Sequence, residues 1–252
     1  MADKNACRFV ILTSPRSGST WLVSLLNQIN SISAYGELFL PRKRKPGKTQ
    51  WDEDFAYPHF VETNYARAKF RAMGVFSYLD ELYSQPGVVG FKLMYSQMRK
   101  FPEVLAYLLI HRVRVIHLVR QNPLDLVISA AVKRKLQQSH RLAGQQVAEH
   151  VQVELNTKTL IRKLEAKQRK INKGKKLLHL TGLTVLDVAY EDMQKGPNEF
   201  QAICRFLSAP IQNEMPSSRF VKMRQESQAE VLKNYGEVRE TLAGTQFMAF
   251  LE

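Results

Sequence analysis

The amino-acid sequence predicts an α/β fold with a central parallel sheet flanked by helices. Short apolar runs alternate along the chain with longer segments of helical periodicity, the pattern of parallel strands joined by crossover helices. The length of 252 residues suits one such domain. Hydrophobic residues make up 44% and charged residues 24%, an ordinary globular composition that excludes wholesale disorder.

The first part of the chain opens on a strand, a loop and a helix. Residues 8–13 are apolar and rich in β-formers, which predicts a buried strand. Apolar residues repeat at helical spacing over 19–30 and again over 65–83, which predicts a helix in each. Residues 36–40 form a short segment, and 41–58 are basic, aromatic and interrupted by Pro and Gly, which indicates a loop.

The same alternation continues to the end of the fold. Three further apolar runs have the length of strands: 88–93, 113–119 and 183–189. Four segments have helical periodicity: 101–111, 123–137, 145–173 and 197–207. Pro102 and Pro123 suit the first turn of a helix, and Gly174 suits the end of the long basic one.

The chain is strongly basic, with 37 Lys and Arg against 23 Asp and Glu and a net charge of +14. Nucleic acid, anionic lipid and a phosphorylated small molecule are all compatible with this charge. Two basic runs stand out, at 42–48 and 162–176. Solvated loop and helix surface is the simpler interpretation of both.

Several protein classes are excluded by composition. No apolar run approaches the roughly 20 residues that a membrane-spanning helix needs, and the N-terminus lacks the pattern of a secretory signal. Cys7 and Cys204 are the only cysteines, so neither a disulfide framework nor a structural zinc site is expected. The sequence therefore predicts a cytoplasmic protein.

The loop after the first predicted strand has an anion-binding pattern. Residues 14–20, Ser-Pro-Arg-Ser-Gly-Ser-Thr, place one Gly, several hydroxyl groups and Arg16 between a strand and a helix. Such a turn directs backbone N–H groups and the positive end of the helix dipole at the loop, which favours a phosphate. The hydroxyl groups and the guanidinium exceed what helix capping needs. The loop therefore predicts a P-loop-like nucleotide-binding core.

Two other function classes account less well for this loop. A P-loop kinase or nucleoside triphosphatase needs GxxxxGK[ST], but the first Gly is missing and Gly18 stands in place of the Lys. That alternative would use Asp187 as a Mg²⁺ ligand. A basic nucleic-acid-binding protein would explain the basic runs, but it leaves the loop unexplained, and no nucleic-acid-binding motif is present.

Four segments together resemble the sulfotransferases that use 3′-phosphoadenosine-5′-phosphosulfate (PAPS). Residues 14–21 are similar to the 5′-phosphosulfate loop of this family, and 115–129 to its 3′-phosphate strand and helix. Tyr190-Glu-Asp-Met193 resembles a late strand-to-helix motif, and 90–95 a middle strand of bacterial, trehalose-sulfotransferase-like members. Cytosolic members carry Lys at the position of Arg16, whereas many bacterial and carbohydrate sulfotransferases carry Arg there, as this chain does.

The resemblance implies PAPS as the donor and adenosine 3′,5′-bisphosphate (PAP) as the product, with no metal. The binding residues it implies are Arg16, Ser17, Gly18, Ser19, Thr20, Trp21, Arg120, Ser129, Tyr190, Lys222 and Arg224. The loop would hold the 5′-phosphate, and Arg120 with Ser129 the 3′-phosphate. Tyr190 would contact the adenine or be a core tyrosine. Lys222 and Arg224 lie where cytosolic enzymes carry a glycine-rich signature that this chain lacks.

The resemblance also implies catalytic groups. Sulfuryl transfer benefits from a base that takes the proton of the acceptor. Glu37 resembles the catalytic glutamate of bacterial and carbohydrate members, with an exposed loop carboxylate as the alternative. Arg16 would stabilise the charge on the leaving group. Lys92 is a second catalytic or positioning group, or an ordinary strand-end lysine.

The expected acceptor is a small polar molecule with a hydroxyl or amine, such as a sugar or natural product. Residues 41–85 and 140–175 are expected to be acceptor-side or variable insertions in one domain spanning 1–252. Neither nucleic acid nor membrane is an expected partner, and a homo-oligomer is left open. An aromatic cluster either lines an acceptor pocket or caps the core: Trp51, Phe55, Tyr57, His59 and Phe60.

Overall fold

The computed structural model describes seven stretches of the chain: 7–40, 56–136, 141–142, 151–211, 213–218, 220–221 and 226–252. The chain divides into two compact units: Met1–Val119 with Lys175–Ser217, and Arg120–Gly174 with Ser218–Glu252. The single domain over 1–252 stays a prediction. Lys222, Arg224, Trp51 and Phe55 lie outside the described residues.

The strands of the described chain form one large and one small sheet. They are β1 (Cys7–Thr13), β2 (Ile32–Glu37), β3 (Val88–Met94), β4 (Arg114–Val119), β5 (Arg141–Leu142), β6 (Val185–Ala189) and β7 (Phe220–Val221). The first unit holds a five-stranded sheet in the order β2-β3-β1-β4-β6, with every neighbouring pair parallel. In the second unit β5 and β7 form an antiparallel pair.

The helices connect and cover these strands. They are α1 (Ser19–Leu26), α2 (Arg71–Leu82), α3 (Tyr95–Lys100), α4 (Pro102–Ile110), α5 (Pro123–Leu136), α6 (Leu160–Leu180), α7 (Tyr190–Met193), α8 (Asn198–Phe206), α9 (Gln228–Val231) and α10 (Tyr235–Leu242). None of the helices in the described ranges combines the length and the apolar content that crossing a membrane requires.

The predicted α/β fold is confirmed, because the central sheet is parallel and lies between helices. In the first unit one face of the sheet packs on α2 and α4, with Leu12, Phe91 and Leu93 among its buried residues and Tyr107 opposite. Successive side chains of a strand point to opposite faces. Lys92, between Phe91 and Leu93, therefore points to the other face, where it bonds Thr20 of α1.

The aromatic residues before α2 belong in part to this core. Phe60 is 2% exposed, and its ring lies 5.6 Å from those of Phe39 and Tyr78. His59 is buried beside it, and Tyr57 is half-buried with its ring 5.2 Å from that of Tyr35. Of the two interpretations of the aromatic cluster, core capping describes Phe60.

The second unit has its own apolar core. α5 contributes Leu124, Ile128 and Val132, and α6 contributes Leu160 and Leu164. α10 and the 3₁₀ turn Gln246–Phe250 close this core from the C-terminal side. The segment after α9 thus packs into this core through Val238, Leu242 and Phe247.

Several elements differ from the predicted ones. β2 has no counterpart among the predicted strands, and α3 has none among the predicted helices. α2 begins at Arg71 after two 3₁₀ turns, although a helix is predicted from residue 65. The helix predicted at 145–173 begins instead at Leu160 and continues through Gly174 to Leu180. Leu178 is 2% exposed in the core of the first unit, and its burial outweighs the roughly 1 kcal/mol that glycine costs in a helix.

Candidate functional site

The loop between β1 and α1 turns tightly and gathers hydrogen-bond donors. Arg16 and Gly18 both have positive φ, 73° and 78°, which turns the chain tightly before the first helical hydrogen bond from Leu22 N–H to the Gly18 carbonyl at 3.0 Å. The first N–H groups of any helix have no partner within the helix. The hydroxyl of Ser17 is buried, and among the described residues it has no hydrogen-bond partner. An anion in the loop would accept from both sets of donors.

Tyr190 fixes the shape of this loop. It is the first residue of α7, directly after β6, and is 8% exposed. Its ring lies so close to Gly18 that a Cβ there would be 2.2 Å from Cδ2 of Tyr190. The ring also meets Trp21 edge-on at 5.9 Å, and its hydroxyl accepts a hydrogen bond from Gln194 at 2.8 Å. Tyr190 therefore packs against the loop with its hydroxyl bonded, and its contact with adenine stays a prediction.

Gly18→Ala is expected to destabilise the protein. The left-handed backbone alone costs a residue with a Cβ about 1–2 kcal/mol, and the added methyl group must displace the Tyr190 ring. Gly182→Ala is the matched control, because Gly182 also has a positive φ, 68°, but has nothing within 4 Å of its Cβ position. Thermal and urea unfolding of both variants measure the difference. Equal losses of stability would mean that the contact with Tyr190 contributes nothing.

A second group of polar side chains lies at the carboxyl ends of β2 and β3. Glu37 ends β2 and stands opposite Lys92 of β3 after a register shift between Tyr35 and Glu37. The Lys92 ammonium, 5% exposed, lies 3.3 Å from Oε1 of Glu37. The same ammonium donates to Oγ1 of Thr20 at 3.2 Å. Lys92 thus connects the first turn of α1, directly after the loop, to the carboxylate of Glu37.

Gln97 completes this group, although nothing in the sequence singles it out. It lies in α3, just beyond the end of β3, and is 4% exposed. Its Nε2 donates to Oε2 of Glu37 at 2.7 Å. Glu37, with 27% of its side chain exposed, is therefore a strand-end carboxylate held by two donors, not a free loop residue.

This arrangement has a defined chemical capacity. A carboxylate that is partly exposed can take a proton from a hydroxyl or amine that approaches it. A buried ammonium is stable only when it is paired, and Lys92 can stabilise negative charge that develops between the loop and Glu37. The structure brings together Thr20, Lys92 and Glu37 as one polar cluster.

On the opposite face of the sheet His117 forms a buried network. Its Nδ1 lies 2.6 Å from Oδ1 of Asp187, which stands directly across from it on β6. The hydroxyl of Tyr95 bonds Nε2 of the same ring. Burial lowers the pKa of His117, although the hydrogen bond to Asp187 opposes this effect. The neutral imidazole then donates to Asp187 and accepts from Tyr95.

Asp187 is engaged on both oxygens. Besides His117, the Lys175 ammonium lies 3.3 Å from Oδ2. Burial by itself would raise the pKa of Asp187, but the hydrogen bonds from His117 and Lys175 outweigh it, and the pKa is lowered. The His179 ring nitrogen Nε2 also lies 3.6 Å from Oδ2, so the carboxylate that a kinase would need for Mg²⁺ is occupied by side chains of the protein.

In the second unit Arg120 is oriented by Asp125. The guanidinium lies 2.6 Å from Oδ2 of Asp125, whose other oxygen accepts from Gln228 at 3.0 Å. Asn122 caps this turn, since its Oδ1 accepts from the Asp125 backbone N–H at 3.0 Å. Ser129 follows Asp125 by one helical turn on α5, so the two residues share a face of that helix.

Comparison with known proteins adds an independent finding. A family model described as the Sulfotransferase family matches residues 8–213. A search of curated proteins finds no matching relative. Among solved structures, the "Sulfotransferase Domain from the Curacin Biosynthetic Pathway" is similar, with 17% identity and a TM-score of 0.48 over 91% of this chain and 83% of that chain.

Proposed function

Because this chain belongs to the sulfotransferase family, we propose that it moves a sulfuryl group from PAPS to a hydroxyl or amine of a small polar acceptor. The observation that carries the proposal is the position of Lys92. Its ammonium lies 3.2 Å from Thr20, in the first turn of α1, and 3.3 Å from Glu37 of β2. The residue proposed to bind the donor, Thr20, and the residue proposed to deprotonate the acceptor, Glu37, therefore both contact the buried ammonium of Lys92.

The loop is assigned to the 5′-phosphosulfate of the donor. The buried Ser17 hydroxyl and the N–H groups at the start of α1 supply donors for its oxygens. Ser19 and Thr20, both buried, add hydroxyl groups at the same turn, and Arg16 adds positive charge. The loop carries no lysine of its own, unlike that of a P-loop nucleoside triphosphatase. Its position between a strand and a helix and its donors support a P-loop-like nucleotide-binding core.

Glu37, Lys92 and Arg16 divide the chemical work. Glu37 takes the proton of the acceptor hydroxyl or amine as the new bond to sulfur forms. The bond between sulfur and the bridging oxygen breaks, and PAP leaves with the electron pair of that bond. Lys92 and Arg16 stabilise the negative charge on the departing oxygen. The sulfated acceptor, PAP and a protonated Glu37 are the products of the step.

Arg120 and Ser129 are assigned to the 3′-phosphate on the resemblance of their segment to the family. The fixed pairing of Arg120 with Asp125 supports this role, because an oriented guanidinium offers two parallel donors to a phosphate. Lys222 and Arg224 are proposed as additional contacts. The protein is proposed to act in the cytoplasm, as a monomer or a homo-oligomer.

A P-loop kinase is the second candidate function, and ligand preference distinguishes it. Asp187 is paired with His117 and Lys175, which argues against a metal-binding role for its carboxylate. A thermal-shift comparison of PAP with ATP–Mg²⁺ tests the choice, because a tight ligand raises the melting temperature by mass action. Stabilisation by ATP–Mg²⁺ alone would overturn the sulfotransferase proposal.

Arg16→Ala and Arg120→Ala are each expected to weaken PAP binding by roughly 1.5–3 kcal/mol, since each removes a charged hydrogen bond to a phosphate. Isothermal titration calorimetry measures the affinities. Arg169→Ala serves as the control, because that side chain is 61% exposed on α6 and pairs only with Glu165 at 3.2 Å among the described contacts. Unchanged affinity in both variants would remove the donor site proposed here.

A further inference from the structure

The side-chain amide of Gln97 is fixed at both ends. Its Oε1 accepts from the backbone N–H of Met94 at 3.0 Å, and its Nε2 donates to Oε2 of Glu37 at 2.7 Å. A backbone N–H can only donate, so the amide oxygen must face Met94 and the NH₂ group must face Glu37. Gln97 is 4% exposed, so its own amide has little access to water.

The helix that carries Gln97 is itself anchored to the sheet. Tyr95, the first residue of α3, bonds His117 through its hydroxyl. His117 is 0% exposed and is held by Asp187 at 2.6 Å. The first turn of α3 is thus tied to β4 and β6, which fixes the position of Gln97 relative to β2.

We infer that Gln97 is a positioning residue that holds the carboxylate of Glu37 for proton transfer, an inference that rests on the proposed role of Glu37. Lys92 lies at Oε1 of this carboxylate and Gln97 at Oε2. Two donors from different elements leave the carboxylate one orientation. A glutamate side chain without the second donor would sample further rotamers, and proton transfer depends steeply on orientation.

Gln97→Glu tests this role. An ionised carboxylate at position 97 still accepts from the Met94 N–H, so it preserves the cap of α3, but it repels the charge of Glu37 and has no hydrogen to donate to it. The expected result is a fall in kcat of about 100-fold, measured as PAP release from PAPS with the best acceptor of a panel of sugars, phenols and amines. The affinity for PAP is expected to stay within about twofold of the wild type.

A swap variant separates positioning from structure. Glu37→Gln combined with Gln97→Glu restores the hydrogen bond with donor and acceptor exchanged. Its melting temperature should recover toward that of the wild type, while its kcat stays at the level of Glu37→Gln alone. Recovery of kcat in the swap would overturn the inference.

The outcomes also distinguish this inference from the proposed function. If Glu37→Gln loses turnover but Gln97→Glu keeps kcat within about twofold of the wild type, Gln97 has no positioning role and the base assignment survives. If Glu37→Gln keeps its turnover, the base assignment fails, and the positioning role fails with it. A kcat loss in Gln97→Glu that persists in assays run well below the melting temperature of the variant supports the inference.

Discussion

Glu37→Gln is expected to lower kcat by roughly 10²- to 10⁴-fold while leaving the affinity for PAP unchanged. The amide keeps the size of the side chain but cannot take a proton. Glu37 lies at the end of β2, beyond the loop that is assigned to the donor, and contacts that loop only through Lys92 among the described hydrogen bonds. Turnover is measured as PAP release from PAPS, and affinity by calorimetry.

Glu165→Gln is the matched control for this substitution. Glu165 lies on α6 with 43% of its side chain exposed and pairs with Arg169, so the same chemical change is made at a surface position. Its turnover should equal that of the wild type. A Glu37→Gln enzyme with undiminished kcat would remove Glu37 from the base role and leave the family assignment intact.

Lys92→Met is expected to lower kcat by roughly 10²- to 10³-fold, as the loss of a preorganised charge at a transition state does. Methionine fills the same buried volume without the ammonium, so the sheet should remain packed. The bonds to Thr20 and Glu37 are both lost, and PAP binding should weaken as well. Calorimetry and turnover on one preparation report the two effects.

Lys195→Met tests whether the loss of a lysine matters in general. The side chain of Lys195 is 76% exposed and its ammonium pairs with Asp192 at 2.6 Å, so no effect on kcat is expected. Lys92→Arg should not rescue activity, because the larger planar guanidinium does not fit a site that is 5% exposed. If Lys92→Met turns over normally, Lys92 is an ordinary strand-end lysine.

The central strands of the fold are predictable from sequence because they are buried on both faces. β1, β3 and β4 are short apolar runs, and such runs have few other places in a globular protein. β2 is Ile-Ser-Ala-Tyr-Gly-Glu, whose Ser, Ala and Gly favour strands weakly. β2 is stabilised as a strand by its pairing with β3, and the local sequence contains no signal for this tertiary contact.

The candidate site was predictable only in part, and the reason is register. The loop has a local pattern, and Glu37 and Lys92 come from the resemblance of their segments to a family. Their salt bridge depends on the shift between Tyr35 and Glu37 that aligns β2 with β3. The pairing of His117 with Asp187 depends on the register of β4 and β6, and the bond from Gln97 depends on where α3 follows β3. Spacing along one strand does not encode these placements.

The ring that shapes the loop between β1 and α1 belongs to a residue that directly follows the edge strand β6. Tyr190 reaches Gly18 only after β6 has paired with β4 and the chain has turned into α7. The shape of this loop therefore depends on the assembled sheet, although its own residues, 14–20, are contiguous in the sequence. Residues 14–20 grafted onto another strand–helix junction would keep their sequence but lose the backbone conformation that the Tyr190 ring supports.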